Sequence, residues 1–340
     1  MKDISIIVPI YNAEDTIERL LASFISNKNY IKEVILVNDR STDNTFEKIE
    51  NFKSFFDIQV INNEGEKGPG PGRKTGLLKA KGKWVTFVDA DDCLTPNSLY
   101  YVSKQLENEF IALLHTQTIY YESGSFEKED IDFCDNSCGG NFYNREYLIQ
   151  NNLFPHDTLF MGEDEYFNEI IINFINLCDL QGRENLIKYF EYPVYEVHHD
   201  NSKSFALNNW VDYAYDYHFL YKKYVIQFFK QYYPYTLTSL KTDFIEHIIS
   251  MYFFILALEQ DKDLKFQKKL DRFYEAIEFY IQNFNGSYKD LMSYYRKNPT
   301  IVNILKQGAI ESTGIQIEIQ EKQSFIDILD KTCNFKKFLI

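Results

Sequence analysis

The chain has 340 residues, enough for one large core, or for a core of about 200 residues with an appended module. Its formal net charge of −14 disfavours wholesale binding to nucleic acid or to an anionic membrane, because both are polyanions. Hydrophobic residues make up 45% and charged residues 25%, which excludes a disordered chain and is ordinary for a folded soluble protein.

The opening segment and the cysteines predict a reduced, cytoplasmic protein. The first apolar run, residues 4–10, is too short and too soon interrupted for a signal peptide. No stretch reaches the roughly 20 apolar residues that a spanning helix needs. The five cysteines are scattered and odd in number, which argues against a disulfide framework. Cys134 and Cys138 have no matching second pair, so they do not indicate a zinc site.

The N-terminal region alternates between strand and helix patterns. A β-branched run at residues 4–9 is typical of a buried parallel strand, and apolar residues at helical spacing follow from 15 to 26. Further strands are predicted at 33–38, 59–62 and 83–88, with helices between them at 41–52 and 75–81. This rhythm predicts a parallel sheet with helices on both faces and a ligand site at the carboxyl ends of the strands.

Polar side chains follow three of these strands. They occur at residues 9–12, at Asn38 and Asp39, and at 89–92. Because the carboxyl ends of parallel strands meet at the same edge, we expect these residues to form one site.

A run of glycines and prolines, Gly68-Pro-Gly-Pro-Gly-Arg-Lys-Thr-Gly76, resembles a Walker A loop at first sight. A Walker A loop binds phosphate through consecutive backbone N–H groups, and its glycines permit the turn. Pro69 and Pro71 each remove one such donor, and Arg73 replaces the last glycine. The run also follows the third predicted strand instead of the first. These departures argue against a phosphate-binding loop of the Walker A type. A surface loop without a functional role is the alternative, but it does not explain why Arg73 and Lys74 lie between two strands that end in acidic residues.

Three aspartates, Asp89, Asp91 and Asp92, follow the fourth predicted strand. If the chain stays extended, Asp89 and Asp91 lie on the same side, where a divalent cation would relieve their repulsion. The alternative is helix capping, with Asp92 or Thr95 as the N-cap and Pro96 in the first turn. The two interpretations are compatible.

The sequence pattern changes after the fourth predicted strand. Residues 97–200 have a mixed pattern, with a Gly-Gly turn and an acidic cluster at 161–166. Beyond Phe205 glycine becomes rare and aromatic residues are frequent. The pattern there predicts helices, for example at 210–233, 240–258 and 265–284. We therefore predict an α/β domain at residues 1–203 and an α-helical domain at residues 204–340.

Four motifs, in order and in register, resemble glycosyltransferase family 2. They are Ile6-Ile-Val-Pro-Ile-Tyr-Asn12, Val37-Asn-Asp-Arg-Ser-Thr-Asp43, Gly68 through Gly76, and Val88-Asp-Ala-Asp-Asp92. The resemblance covers residues 3–200 and is strongest before Asn97. It implies a GT-A fold, which is a Rossmann-like, mostly parallel sheet with helices on both faces, and inverting chemistry that uses a nucleotide-sugar.

The resemblance also implies the nucleotide pocket. Pro9, Tyr11 and Glu14 would line the pocket for the nucleobase and ribose, and Asp39 would hydrogen-bond the base, usually uracil in this family. Asn38 departs from the acid that usually precedes Asp39.

In the glycine-rich run, the family pattern is G-x-S-x-A-R-N-x-G. Gly68, Arg73 and Gly76 match it, while Gly72 and Lys74 depart from it. Arg73 would lie near the nucleotide diphosphate, where a guanidinium suits an anion. The role of Lys74 stays open.

The same resemblance assigns the acids. Asp89 and Asp91 would form the D-x-D motif, with Asp91 on Mn²⁺ or Mg²⁺ and Asp89 on the ribose or sugar. The family's catalytic base is an aspartate in a short Glu-Asp motif. Asp164 would be that base here and Glu163 its supporter or acceptor contact, with helix capping at 166–177 as the alternative.

The segment His198-His-Asp-Asn-Ser202 falls where the family often places a loop that closes over the diphosphate. His198 and Ser202 are therefore candidates for phosphate or metal binding. A linker between domains is the alternative.

The aromatic tail has three interpretations. Its stripes of Tyr, Phe and Ile would form a packed helical core, a homo-oligomer contact, or a platform that binds the acceptor. Three Lys-Lys pairs would be consistent with peripheral contact with a membrane that carries a lipid-linked acceptor. However, no stretch forms a basic amphipathic helix that could serve as a membrane anchor.

Together these observations predict a metal-dependent, inverting transferase. It would move a hexose or N-acetylhexosamine from a UDP-sugar to a glycan, glycoprotein or glycolipid, in surface-polysaccharide assembly or adhesin glycosylation. The alternatives are a P-loop-like phosphotransferase and a catalytically silent nucleotide-sugar-binding or scaffold protein.

Overall fold

The structure is a computed structural model that divides into two compact units, Met1–Asn208 and Asn209–Ile340. The residues it describes are 2–107, 111–121, 128–133, 137–159, 162–179, 186–198, 205–234, 237–259 and 265–313. The predicted domain boundary at residue 203 lies outside these ranges.

Within the described part of the first unit, nine strands form one mixed sheet. They are β1 (Ile4–Ile10), β2 (Ile31–Asn38), β3 (Ile58–Asn62), β4 (Trp84–Phe87), β5 (Cys93–Leu94), β6 (Leu113–Tyr121), β7 (Lys128–Phe133), β8 (Phe142–Asn144) and β9 (Ile187–His198). Their order is β3-β2-β1-β4-β8-β6-β9-β5, with β7 beside β6.

The first four strands pair in parallel, as the alternating sequence pattern predicts. β1 lies between β2 and β4, and β3 lies outside β2. Every residue of β1 except Pro9 is buried, which explains its continuous apolar pattern. The remainder of the sheet is mixed, because β8 pairs antiparallel with both β4 and β6 while β6 and β9 are parallel.

The helices described in this unit lie between its strands along the chain. They are α1 (Ile17–Ser23), α2 (Thr45–Ile49), α3 (Pro69–Lys79), α4 (Ser98–Leu106), α5 (Arg145–Gln150) and α6 (Glu163–Asp179). The prediction of a loop over Gly68–Lys74 is wrong, because α3 already begins at Pro69. Proline fits there, since the first N–H groups of a helix have no intrahelical acceptor.

The glycines of α3 bring this helix close to the sheet. A Cβ added to Gly76 would lie 2.3 Å from Cγ2 of Ile7 and 3.2 Å from Cγ2 of Val37. A Cβ added to Gly72 would lie 3.3 Å from Cβ of Pro9. The glycine spacing of this segment therefore serves helix–sheet packing against β1 and β2.

The predicted capping at Thr95 and Pro96 is also wrong. α4 begins at Ser98, and its N-cap residue is Asn97, which adopts a left-handed conformation. The Thr95 hydroxyl instead donates to the carbonyl of Pro193 at 2.7 Å. Asp92 faces the interior, as described below, and not a helix end.

The second unit is helical, as predicted. Its described helices are α7 (Phe205–Tyr232), whose first four residues are the last four of the first unit, α8 (Leu237–Glu259), α9 (Lys265–Phe284), α10 (Tyr288–Lys297) and α11 (Pro299–Thr313). α8 packs against α9 and α11, and its Phe244, Tyr252 and Phe253 are fully buried. Among the described residues, no helix is both long enough and apolar enough to cross a membrane.

We predict that Gly76→Ala destabilises the first unit. The added methyl group would overlap Ile7, and overpacking of this kind costs about 1–3 kcal/mol. The higher helix propensity of alanine offsets about 1 kcal/mol of that cost. Differential scanning calorimetry should show a lower melting temperature for the variant.

Gly308→Ala is the matched control. Gly308 lies inside α11, and a Cβ there would meet no atom within 4 Å. This variant should be neutral or more stable by up to about 1 kcal/mol. Equal effects of the two substitutions would contradict the proposed close packing of α3.

Candidate active site

The polar strand ends are assembled at one edge of the sheet. β1, β2 and β4 run parallel, so the loops that follow them leave from the same edge. The first two loops are tied together, because the Asn12 N–H donates to Ser41 Oγ at 3.1 Å and the Thr42 N–H donates to Asn12 Oδ1 at 2.8 Å. The predicted clustering of polar residues is therefore observed for these strands.

Tyr11 offers an open aromatic face directly after β1. Its ring is 52% exposed, and the Lys67 ammonium lies 3.6 Å from the ring centroid. Pro9, two residues before it in β1, is partly buried. An exposed ring of this kind can stack on a planar heterocycle.

Glu14 holds the first two loops together. Its carboxylate accepts the Asn44 N–H at 3.0 Å, and its own N–H donates to Asp43 Oδ2 at 2.9 Å. Its carbonyl accepts from Lys48 Nζ at 2.6 Å. These contacts shape the pocket wall, whereas a contact of Glu14 with a nucleotide remains a prediction.

Asp39 is buried after β2 and is anchored on both of its carboxylate oxygens. Oδ2 accepts the backbone N–H of Gly68 at 2.8 Å. Oδ1 accepts from Asn63 Nδ2 at 2.9 Å and from the Arg40 guanidinium at 2.6 Å. Gly68 has a φ of 145°, a backbone conformation that favours glycine. Asp39 therefore links the end of β2 to the start of α3.

Arg73 is the centre of a charge network. Its side chain is 5% exposed; Nη1 donates to Glu163 Oε1 at 2.5 Å and Nη2 donates to Asp89 Oδ1 at 2.7 Å. Burial opposes its charge, but Cys138, Asp89 and Glu163 raise the pKa of Arg73, so it is a permanent cation. One guanidinium thus joins α3, the end of β4 and the start of α6.

The acidic pair at the start of α6 lies beside this guanidinium. Glu163 is buried and Asp164 is half-buried. Burial, and then the charge of Asp164, raise the pKa of Glu163 to about 8, although Arg73 opposes this. Burial raises the pKa of Asp164 as well, Arg73 lowers it in part, and Asp89 adds to the increase. The pair therefore takes up its first proton closer to neutral pH than exposed carboxyl groups do.

The three aspartates after β4 have three different environments. The chain turns here, because the Asp92 N–H donates to the Asp89 carbonyl at 3.1 Å. Asp89 faces Arg73, and Asp91 is exposed at the turn, where its carbonyl accepts from Arg19. The extended arrangement considered for Asp89 and Asp91 is thus replaced by a turn. Exposed carboxylate oxygens at such a turn fit a divalent cation such as Mn²⁺ or Mg²⁺.

Asp92 is buried and holds the end of β9. Its Oδ2 accepts from the Tyr195 hydroxyl at 2.6 Å, and its Oδ1 accepts the His198 backbone N–H at 3.0 Å. The Tyr195 oxygen in turn accepts the Asp89 N–H at 3.1 Å. Burial, and then Asp91 and Asp89, raise the pKa of Asp92 well above its usual range.

The His198 side chain contacts residues of β9 and of the neighbouring strand β6. Its Nε2 lies 3.5 Å from Glu196 Oε2, and its ring stacks on Tyr121 with a centroid separation of 4.9 Å. Burial and the charge of Arg19 lower the pKa of His198, so the ring is neutral. Ser202, the other candidate of this segment, lies outside the described residues.

Lys74 has a structural partner. Its Nζ contacts Asp157 Oδ2 at 2.6 Å and lies 5.6 Å from the centroid of the Phe154 ring. The P-loop hypothesis needs this lysine on a phosphate and needs backbone donors that Pro69 and Pro71 lack. The contact with Asp157 and the helical start of α3 both argue against that hypothesis.

The structure adds residues that the sequence patterns missed. Asn63 could have been found, since it follows β3 at the same edge of the sheet. Arg40, with a φ of 68°, and Tyr195 carried no local signal. Tyr195 reaches the site only because β9 pairs with β5 directly after the turn.

A family model and two curated relatives agree on the class of this protein. A family model described as "Glycosyl transferase family 2" matches residues 5–171. The minor teichoic acid biosynthesis protein GgaA of Bacillus subtilis is 31% identical over 196 residues, which cover 49% of this chain and 43% of that protein. The Escherichia coli UDP-Glc:alpha-D-GlcNAc-diphosphoundecaprenol beta-1,3-glucosyltransferase WfgD is 37% identical over 106 residues, which cover 31% of this chain and 42% of that protein.

The fold has a solved counterpart. The crystal structure of S. aureus TarS 1-349 in complex with UDP matches with a TM-score of 0.56 at 18% identity, over 95% of this chain and 98% of that chain. The chain matches less than half of the length of the two curated relatives. The predicted GT-A fold followed by helices is confirmed, and residues 5–171 match glycosyltransferase family 2, the family that the sequence motifs resemble.

Proposed function

We propose that this protein is an inverting, metal-dependent glycosyltransferase that uses a UDP-sugar donor. The sugar would be a hexose or an N-acetylhexosamine, and the acceptor a hydroxyl of a surface glycan, a glycoprotein or a lipid-linked saccharide. GgaA is a teichoic acid biosynthesis protein, and WfgD is a UDP-glucose-dependent transferase that acts on a lipid-linked sugar; both support the proposed substrate classes.

One observation carries the proposal. Arg73 lies between Asp89 and Glu163, which are 74 residues apart in the chain, and thereby joins the D-x-D turn to the Glu-Asp pair. Sugar transfer requires the D-x-D turn and the Glu-Asp pair next to each other, because the acceptor oxygen attacks the same carbon atom from which the diphosphate leaves.

The donor would bind along the polar edge of the sheet. The exposed ring of Tyr11 would stack on the uracil, and the cations of Lys67 and Arg40 stand beside that pocket. Arg40 is 54% exposed, so it can turn from Asp39 toward a ligand without leaving water. Arg73 is held by two carboxylates and would position Asp89 for its contact with the ribose or sugar.

Transfer with inversion is a single displacement. Asp164 would take the proton of the acceptor hydroxyl as that oxygen attacks the anomeric carbon, and the bond from this carbon to the diphosphate oxygen breaks. A raised pKa suits a general base, because a stronger base takes up the proton of the acceptor hydroxyl more readily. Glu163 would position the pair through its contact with Arg73.

Asp91 would hold the divalent cation, with Asp89 beside it. When bound, Mn²⁺ or Mg²⁺ supplies positive charge that stabilises the diphosphate leaving group. The site has hard oxygen ligands at an exposed turn, which fits either ion. The roles of the helical unit in acceptor binding, oligomerisation or membrane contact stay predictions.

We expect Asp164→Asn to retain donor binding and to lose turnover. Loss of a general base lowers rates by about 10²–10⁴-fold, while the amide keeps the size of the side chain. Release of UDP from UDP-glucose and UDP-N-acetylglucosamine measures turnover, and calorimetric titration with UDP measures binding. Activity of the wild-type enzyme should fall as the pH drops through the raised pKa of Asp164.

Lys74→Met is the control for this experiment. Its partner Asp157 is 60% exposed, so the variant should keep wild-type turnover. Sensitivity to Lys74→Met together with stabilisation by ATP would favour a phosphotransferase. Wild-type turnover in Asp164→Asn would refute the assigned base.

We expect Asp91→Asn to remove the metal-dependent part of UDP binding. In a thermal-shift measurement, UDP with Mn²⁺ should stabilise the wild type more than UDP without it, since ligands that bind the native state raise its melting temperature. The variant should show no difference between the two conditions. Asp57→Asn is the matched control, because Asp57 is equally exposed but precedes β3 at the opposite edge of the sheet. Loss of the Mn²⁺ effect in both variants would contradict the assignment.

The charges around Arg73 predict a pH-dependent stability defect in Arg73→Met. Removing the buried cation leaves the buried carboxyl group of Glu163 without its cationic partner, and breaking a buried pair costs about 3–5 kcal/mol. Without the guanidinium, the pKa of Glu163 in the folded variant rises further above its unfolded value. The defect therefore grows as the pH rises and shrinks in acid, where the carboxyl groups are protonated. Urea unfolding at about pH 5 and about pH 8 checks this sign.

The adjacent Lys74→Met again serves as the control. It removes the same charge from the same helix, but its ion pair is exposed and contributes about 0–1 kcal/mol. An equal defect of Arg73→Met at both pH values would argue against a charge network and for a loss of packing alone.

A further inference from the structure

A thiol, a carboxylate and an imidazole meet beside the D-x-D turn. β5 pairs antiparallel with β9, and Cys93 lies opposite Glu196 in that pairing. His198 is two residues beyond Glu196 on β9, so its side chain lies on the same face of the strand. The possible ligand atoms of these three residues all lie within 4.8 Å of one another.

The cluster is largely shielded from water. Cys93 is 5% exposed, and the side chains of His198 and Glu196 are 15% and 18% exposed. His198 Nε2 is buried and has no hydrogen-bond partner within the part of the chain that the structure describes. The stacking of Tyr121 on the imidazole fixes the ring in that orientation. A buried ring nitrogen thus faces a carboxylate and a thiol.

We propose that Cys93, Glu196 and His198 form a zinc site that is separate from the Mn²⁺ or Mg²⁺ site at Asp91. Sulfur, imidazole nitrogen and one carboxylate are ligands that Zn²⁺ binds tetrahedrally, with a fourth position left for water. Mg²⁺ instead requires oxygen ligands, which are found at the neighbouring turn.

Of the three side chains, the thiol is the one that would lose a proton when zinc binds. Burial and the charge of Arg19 lower the pKa of His198, so its nitrogen lone pair is free at neutral pH. Burial raises the pKa of the Cys93 thiol to about 11, so zinc binding displaces one proton from sulfur. Zinc would then be bound by a thiolate, a neutral imidazole and a carboxylate.

The position of the site indicates that bound zinc would fix the geometry beside the D-x-D turn. Cys93 directly follows Asp92, whose carboxylate already accepts the backbone N–H of His198. Zinc would connect the same two segments a second time and hold the end of β9 against the D-x-D turn. His198 would consequently be a zinc ligand and not a ligand of the donor diphosphate.

Cobalt titration of the metal-free full-length protein tests the site. Co²⁺ bound to a thiolate gives a near-ultraviolet charge-transfer band, and Zn²⁺ should displace it at a ratio of one ion per chain. Cys93→Ser should abolish the band and weaken zinc binding by more than about tenfold. Cys138→Ser is the matched control, because Cys138 is also free and buried. It should behave as the wild type.

Further variants keep the test decisive. Asp91→Asn should bind zinc normally, so failure of the proposed donor site and failure of the zinc site are distinguishable. If Cys93→Ser does not fold, Glu196→Gln and His198→Gln should each weaken zinc binding by more than about tenfold. Wild-type zinc affinity in the ligand variants, or cobalt binding without a thiolate band, would overturn the proposal.

Discussion

The buried guanidinium of Arg73 is the interaction on which the candidate site depends. A charge that is 5% exposed is costly to desolvate, and contacts of 2.5 and 2.7 Å with two carboxylates offset that cost. The planar guanidinium reaches Asp89 with one nitrogen and Glu163 with another, which a lysine could not do with the same geometry. The adjacent Lys74 shows the contrast, since it makes one exposed ion pair with Asp157.

The glycine-rich start of α3 makes this position of Arg73 attainable. A side chain on Gly76 would collide with Ile7, and one on Gly70 would come within 2.7 Å of the His156 carbonyl oxygen. The helix therefore approaches both the sheet and the segment before α6. Asp39 anchors its first residue through the N–H of Gly68. The resemblance to a Walker A loop thus has a different physical basis, in which glycine provides space for packing and not for phosphate.

The turn after β4 separates similar carboxyl groups by environment. Asp89 is paired with Arg73, Asp91 faces solvent, and Asp92 is buried against the Tyr195 hydroxyl. The turn therefore presents an exposed carboxylate to a ligand while a buried one holds β9 in place. If zinc binds at Cys93, the same short segment carries two cation sites of different chemistry, one of oxygen ligands and one that includes sulfur.

The amino-acid sequence determined the parallel strands, the class of fold and the residues at the strand ends, because each follows from a local pattern. Continuous β-branched runs indicate buried parallel strands, and polar residues after them indicate the edge that binds ligands. Four motifs in register named the family, and with it Arg73, Asp91 and Asp164 as candidates.

The tertiary structure decided the partners of these residues. Glu163 converges on Arg73 from 90 residues further along the chain, and 103 residues separate both Asp92 from Tyr195 and Cys93 from Glu196. No local periodicity records which strand a distant segment will pair with, so the contacts of β9 could not be predicted. The helical start of α3 was missed for a related reason, since prolines that usually interrupt helices are favourable in the first turn.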